Sequence, residues 1–126
     1  MATVTAKISL SSTNLLSDAL SIQTVNTVAA KFTTGLARQA ITSSALGTPS
    51  GQVTLYTAAV YTAPMYIYIK NTDTTSTDYI YVYTGTTDIL KLSGGEWAFM
   101  PLNDATLKAY ATTSGTVVEW MVYANA

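Results

Sequence analysis

The strongest candidates for acid–base chemistry in this chain of 126 residues are seven carboxylates, because the sequence contains neither histidine nor cysteine. Histidine-based catalytic triads, histidine zinc sites and thiolate metal sites are therefore excluded. Two carboxylates about 5–10 Å apart could hydrolyse a glycosidic bond, and Glu96 and Glu119 lie on neighbouring predicted strands. We favour the alternative that each is a solvated strand residue or guards a sheet edge. The sequence thus predicts no catalytic residue and no enzyme. The seven carboxylates are Asp18, Asp73, Asp78, Asp88, Asp104, Glu96 and Glu119.

Two further segments could hold an ion or a cofactor. Asn71, Asp73 and Asp78 share one polar loop, but the spacing and the glycine of an EF-hand are missing, and residues of these types also form turns. Gly94 and Gly95 precede no Lys-Ser/Thr pair and no helix, so they predict a tight turn and not a phosphate loop. The sequence predicts no metal site and no cofactor.

Tyrosines give the chain its most informative pattern. In MYIYIKNTDTTSTDYIYVYT, residues 65–84, aliphatic and aromatic side chains alternate on both sides of a polar centre. Alternation with period two indicates half-buried strands, and the centre has turn chemistry. We predict an antiparallel hairpin with an aliphatic underside and a tyrosine-covered outer side. The tyrosines could pair across the hairpin, pack under another sheet of the chain, or form a protein interface; we favour cover of either kind over bare exposure. The candidate interface residues are Tyr66, Tyr68, Tyr79, Tyr81 and Tyr83.

The elements that position these side chains are short strands separated by Gly, Pro, Asn, Asp and Ser. Many short strands at such spacing are typical of sandwiches and barrels. We predict an all-β fold: one antiparallel β-sandwich domain over residues 1–126, jelly-roll-like, with about 8–10 strands. Residues 14–20 and 29–39 could each hold a turn of helix. The strands are predicted near residues 3–10, 19–28, 36–43, 52–60, 65–71, 78–84, 88–92, 95–100, 105–112 and 116–124.

Two tryptophans are predicted to anchor the core. Trp97 shares a face with Phe99, and Trp120 shares one with Val118 and Val122. Each tryptophan could bury on the order of 200 Å²; a sugar-stacking platform is the less favoured alternative. Because residues 116–124 are largely apolar on both faces, we expect this strand to be central and covered on both sides.

The composition narrows the function classes. Charged residues make up 10% of the chain and the net charge is −1, whereas 34 of the 126 residues are threonine or serine. Six scattered lysines and arginines form no basic patch, so we expect no nucleic acid partner. No apolar stretch approaches the roughly 20 residues of a membrane span, and the first residues lack the pattern of a signal peptide. So little charge favours a protein that functions in an assembly.

A resemblance covers most of the chain. The stretches LYTAAVYTAPMYIYIKNTDTTSTDYIYVYTG, LKLSGGEWAFMPL and LKAYATTSGTVVEWMVY resemble small β-rich virion structural proteins of tailed phages, particularly marine cyanophages. The segments AKISLSSTNLLSDALSIQ and GLARQAITSS are similar to the same group. The resemblance implies a β-sandwich on the virion, foremost a capsid decoration (cement) protein. Its expected partners are the major capsid protein and its own copies, as a homotrimer, at the capsid surface after assembly in the host cytoplasm.

The first 30 residues are weakly patterned and rich in serine and threonine. We expect them to form an N-terminal arm or an exchanged strand that reaches a partner subunit or the capsid. The alternative function is a tail, neck or fibre component, including a carbohydrate-binding module for the host surface that would use exposed tyrosines, Tyr56 and Tyr61 among them.

Overall fold

The computed structural model describes residues 2–15, 17–47, 50–61 and 64–125 and shows an all-β chain with ten strands in this part. All ten predicted strand regions are confirmed, with shifted ends. The strands are β1 (Ala2–Ser12), β2 (Leu20–Thr33), β3 (Ala37–Ile41), β4 (Val53–Tyr56), β5 (Met65–Asn71), β6 (Ile80–Thr84), β7 (Thr87–Leu92), β8 (Trp97–Leu102), β9 (Leu107–Ala111) and β10 (Thr116–Asn125).

The strands form two antiparallel sheets. One has six strands in the order β1-β2-β10-β5-β8, with β3 also paired to β10, and the other has four in the order β4-β9-β6-β7. From β3 onward the pairs are nested: β3 with β10, β4 with β9, β5 with β8, and β6 with β7. The end of β2 and the whole of β3 follow one another along the same edge of β10, since β5 occupies its other edge.

One hydrophobic core lies between the sheets, and the alternation of the strands supplies it. Ile67 and Ile69 of the larger sheet and Ile80 and Val82 of the smaller one are fully buried in the same cluster. Trp120 belongs to this core as predicted, and its indole N–H donates a 3.0 Å hydrogen bond to the carbonyl oxygen of Leu55. The β-sandwich prediction is confirmed by this arrangement.

The first two strands extend well beyond the sandwich. Residues 2–12 of β1 pair with residues 20–30 of β2, whereas only the last residues of β2, from Ala30, pair with β10. In the described part of the chain, β1 and residues 20–29 have no other strand partner. We call the hairpin of residues 2–29 the arm.

The prediction that residues 65–84 form one antiparallel hairpin is wrong, because the two strands belong to different sheets. Both strands exist with their aliphatic sides buried, but β5 pairs with β10 and β8 in one sheet while β6 pairs with β7 and β9 in the other. The two strands therefore face each other across the core, and their tyrosines lie on opposite outer surfaces of the sandwich.

Two other expectations are wrong. No helical turn occurs in the described residues of 14–20, which form the bend at the end of the arm, or in 29–39, which belong mostly to β2 and β3. Trp97 is no core anchor: it is 52% exposed on the outer side of β8, whereas Ala98 and Met100 pack against the core. The prediction for the last strand is confirmed, because β10 lies between strands and buries both Val122 and Tyr123.

Candidate interaction surfaces

The outer side of the six-stranded sheet carries a cluster of large side chains that we call the aromatic face. The Tyr66 ring stacks on Phe99 and on Tyr123, with ring centroids 5.9 and 5.3 Å apart. Such offset pairs contribute about 0.5–1.5 kcal/mol beyond their buried area. These residues come from β5, β8 and β10, which are neighbours in the sheet. The aromatic face consists of Tyr66, Tyr68, Trp97, Phe99, Met121 and Tyr123.

The base of the arm packs on this face. Val4, Val28 and Ala30 form a second small apolar cluster with Tyr123. Further along the arm the contact opens into a groove of about 430 Å³ between residues 4–8 of β1 and the sheet. We call it the arm groove; Lys70 adds a positive charge to its largely apolar sheet side. Its sheet side consists of Tyr68, Lys70, Trp97, Phe99, Met121 and Tyr123.

The arm groove contains an unsatisfied polar group. Tyr123 is 1% exposed, and its buried hydroxyl has no hydrogen-bond partner among the described residues. Burial raises the pKa of this phenol, and the neighbouring Tyr66 raises it further. A buried donor without a partner costs about 1–3 kcal/mol, so a group that reached this hydroxyl would gain a hydrogen bond.

A buried carboxylate lies beside the groove on the same side of the sheet. Glu119 of β10 accepts hydrogen bonds from the Arg38 guanidinium of β3 and, at 2.9 Å, from the Tyr68 hydroxyl of β5. The hydrogen bonds from Arg38 and then from Tyr68 hold the pKa of Glu119 below its ordinary value. Burial and the carboxylate raise the pKa of Tyr68 in turn. This network connects three adjacent strands and fixes the Tyr68 ring at the groove.

The second tyrosine surface is the outer side of the four-stranded sheet. Tyr81 stacks on Tyr110 of the neighbouring strand at 5.0 Å, and Tyr83 meets the Tyr110 ring edge-on. Tyr83 donates a hydrogen bond to the Gln52 side chain, and Tyr110 donates one to Asp88 at 2.9 Å. Burial, followed by the Asp88 contact, raises the pKa of Tyr110 to about 12. These tyrosines stabilise their own sheet by cross-strand pairing.

The predicted interface residues are thus divided between two surfaces. Tyr66 and Tyr68 belong to the aromatic face, whereas Tyr79, Tyr81 and Tyr83 lie on β6 and just before it, on the other sheet. Tyr79 lies beneath the Lys91 ammonium, 3.9 Å from its ring centroid. The prediction that they form an interface stays a prediction. Of the tyrosines proposed to meet sugars, Tyr56 is unsuitable, since it is buried and donates to Asp104.

The two carboxylates considered as an acid–base pair are not on neighbouring strands, contrary to the prediction. Glu119 lies on β10 and Glu96 just ahead of β8, with β5 between them. Glu96 is exposed and accepts the backbone amide of Ser93 within the turn, while Glu119 is held by Arg38 and Tyr68. The favoured alternative, a solvated strand residue or an edge guard, fits the exposed Glu96. It is wrong for Glu119, which is buried on the central strand β10 and paired with Arg38.

The polar loop after β5 uses its oxygens to shape turns. Asn71 is fully buried, and its amide donates to the carbonyl oxygens of Asp78 and Leu92 at 2.7 and 3.1 Å. Its side-chain oxygen accepts the backbone amide of Asp73, whose carboxylate in turn accepts the amide of Thr75. No group of three or more acidic residues within the described ranges is placed to hold a metal ion.

The turn prediction at Gly94 and Gly95 is confirmed. Gly95 has a φ of 85°, and a Cβ on Gly94 would come 2.3 Å from the carbonyl oxygen of Thr75. The turn therefore requires glycine at both positions, one for its backbone conformation and one for its close approach to the loop after β5.

The arm leaves apolar surface uncovered beyond the groove. Residues at alternate positions of β1 and their partners on β2 share the side that faces the sheet, which we call the inner face of the arm. Near the end of this face Leu10 and its partner Ile22 are 54% and 51% exposed, and Leu15 in the bend is 69% exposed. The inner face carries Val4, Ala6, Ile8, Leu10, Leu20, Ile22 and Val28.

Sequence reasoning missed Phe99, Met121 and Tyr123 as surface-forming residues, and it missed the network around Glu119. The signal for the first group was present, because apolar side chains on both faces of residues 116–124 require a second cover outside the core. The network carried no local signal, since Arg38, Tyr68 and Glu119 are far apart in the sequence.

The described residues include no helix long and apolar enough to cross a membrane. Comparison of the chain with family models, with curated proteins and with solved structures found no match.

Proposed function

We propose that this protein is a structural component of a tailed-phage virion, bound to the outer surface of the capsid as a decoration or cement protein. Its partners are the major capsid protein and further copies of itself, with a homotrimer as the expected assembly. The proposal rests on the sequence resemblance for the kind of particle. The mode of binding, through exposed surface and without catalysis, is inferred from the arm.

The observation that carries the proposal is the arm. A two-stranded hairpin is marginally stable by itself in water, yet this one continues past the sandwich and exposes Leu10, Leu15 and Ile22. Contiguous exposed apolar surface of this kind marks an interaction site. An arm that reaches a neighbouring subunit explains both the length of the hairpin and the uncovered residues.

The composition supports binding through surface area. Lys7 and Asp18 are the charged residues among residues 2–29, so the arm loses little hydration of charge when it is covered. An interface of standard size buries about 1,600 Å², and repetition over many copies on one particle multiplies the gain through avidity. A cement protein that holds neighbouring capsid subunits together needs a stable core and contact faces of low charge.

For the fold, we propose the finer assignment of a jelly roll. The order β3-β10-β5-β8 in one sheet opposite β4-β9-β6-β7 in the other arises when a long hairpin of nested strand pairs rolls up. Two sheets of four strands connected in this way are typical of jelly-roll proteins, capsid domains among them. The arm is then an addition in front of the eight-stranded unit.

The test of the proposed function is the location of the protein on particles. Antibodies against the purified protein, coupled to gold, should label the heads of the phage whose genome encodes it. Label on the tail or neck would support the alternative structural component, and a complete lack of label on washed particles would contradict a virion protein.

A carbohydrate-binding function is the second candidate, and one observation favours it. Trp97 is half exposed at a groove that also contains Lys70, and an exposed ring beside a cation suits an acidic sugar. A glycan array with the wild type and the Trp97→Ser variant tests it. Binding that is lost in the variant would support the candidate, and the absence of binding by the wild type would remove it.

A further inference from the structure

We infer that the arm of one copy docks in the arm groove of a second copy, so that the protein associates with itself by exchange of arms. This inference rests on the proposed function, which includes association with further copies. Two surfaces take part. One is the outer half of the inner face, with Leu10 and Ile22, and the other is the groove beside Tyr68 and Trp97.

The first argument is continuity with a contact that the chain already makes. The base of the inner face, through Val4 and Val28, packs on Tyr123 and its neighbours. Leu10 and Ile22, further along the inner face, are aliphatic like Val4 and Val28, but within one chain the groove separates the arm from Tyr68 and Trp97. In a pair of copies, the arm of each chain could cover the groove of the other.

The second argument is the area available. At about 3.4 Å per residue, residues 6–12 run about 24 Å, and a two-stranded ribbon is about 10 Å wide. One side of this ribbon therefore offers on the order of 240 Å². When two arms are exchanged and both partners are counted, on the order of 1,000 Å² is removed from water, which reaches the lower limit of specific interfaces.

The third argument is the charge. Asp18 lies in the bend at the end of the arm, and the receiving groove contains Lys70. Docking therefore brings opposite charges towards one another, which favours this pairing over an approach of two grooves.

The free edge of β1 is a less suitable contact between copies than the arm groove. β1 is the outermost strand of its sheet, and pairing of two such edges would be the simplest way to join copies. Lys7 lies in the middle of that edge, so antiparallel pairing of two copies would bring their lysines close together. A central lysine is a common protection of sheet edges against such pairing.

The experiment measures the mass of the isolated protein by sedimentation over a range of concentrations. We expect a multiple of the chain mass of 13.4 kDa. The double variant Leu10→Ser/Ile22→Ser should raise the dissociation constant about tenfold or more, because it removes the apolar area that docks. Val25→Ser is the matched control, since Val25 is 55% exposed but lies on the opposite side of the arm, across from Lys7. Equal weakening by the control would overturn the inference.

Cross-linking identifies the receiving surface, because the chain has no cysteine of its own. A mixture of the single variants Ile22→Cys and Trp97→Cys should form a disulfide-linked pair of chains under mild oxidation, and a mixture of Ile22→Cys with Ile89→Cys, on the other sheet, should not. A wild type that is monomeric at every concentration would overturn arm exchange. So would a chain with both Ile22→Cys and Trp97→Cys that forms its disulfide within one chain. Capsid binding that persists in a monomeric protein would leave the proposed function standing while this inference fails.

Discussion

At the scale of single residues, the polar groups on the two outer surfaces determine how stability depends on pH. Glu119 is a buried carboxylate with two donors, and several tyrosines keep their protons in partly apolar surroundings. The carboxylate titrates in acid and the phenols titrate in alkali, so each predicts a separate change in the free energy of unfolding.

The Glu119→Gln variant should unfold about 1–3 kcal/mol more easily at pH 7, because it replaces a charged acceptor of two hydrogen bonds. The pKa of Glu119 is lower in the folded chain than its ordinary 4.5, so its stabilising contribution is complete above pH 4.5 and is lost as the pH falls through the folded value. Urea unfolding at pH 7 and at pH 3 should show a smaller difference between wild type and variant in acid. Glu96→Gln is the control, since Glu96 is exposed. An equal difference at both pH values would contradict the role given to Glu119.

The folded protein should lose stability in alkali as its tyrosines ionise. The pKa values of Tyr68, Tyr83, Tyr110 and Tyr123 are raised above 10.0, chiefly by burial. The folded chain therefore holds protons that the unfolded chain releases, and stability falls as the pH rises above 10 towards the value of about 12 for Tyr110. Urea midpoints and tyrosinate absorbance, measured from about pH 9 to about pH 12, test this. Ionisation of all tyrosines near pH 10 without any loss of stability would contradict it.

At the scale of elements, the alternation of side chains predicted the strands and left their partners undetermined. Met65 to Ile69 and Ile80 to Val82 point their aliphatic sides at one core, and two strands do so equally well side by side or face to face. The eight residues 72–79 are long enough to cross between sheets about 10 Å apart, so strand pairing could not be obtained from this segment. Trp97 was misplaced for a related reason: Trp97 and Phe99 oppose Ala98 and Met100, and both sides of β8 are apolar.

Shortening the arm should separate folding from assembly. Replacing residues 9–23 by Asn-Gly joins Ile8 to Thr24, which are partners in the hairpin, through a two-residue turn that suits antiparallel strands. The removed residues that the structure describes are exposed or half-buried, so the melting temperature should change by only a few degrees. Binding to particles that lack the protein should be lost.

The control for the shortened arm is the full-length Ile89→Ser variant, because Ile89 is exposed on the other sheet. It should fold and bind like the wild type. Particle binding that survives the shortening would show that the arm is not the contact, and a shortened chain that fails to fold would show that the arm supports the sandwich.

At the scale of the whole molecule, the low charge and the uncovered arm fit the proposed role in an assembly. The composition predicted the β-rich class, because threonine is abundant and favours strands. The arm was expected from the weak pattern of the first 30 residues, but the groove beneath it was not, since it is formed by residues 4–8 together with β5, β8 and β10. Such a surface exists only after the fold has brought distant strands together.

The claim that the protein stabilises a capsid is tested most directly by the temperature at which particles rupture. Heads with the protein and heads from a phage that lacks its gene are heated in parallel, and release of DNA is followed with a fluorescent dye. The account predicts that the heads without the protein open at a lower temperature and that added purified protein restores the difference, whereas the shortened arm does not. Equal rupture temperatures for the two kinds of head would contradict the account.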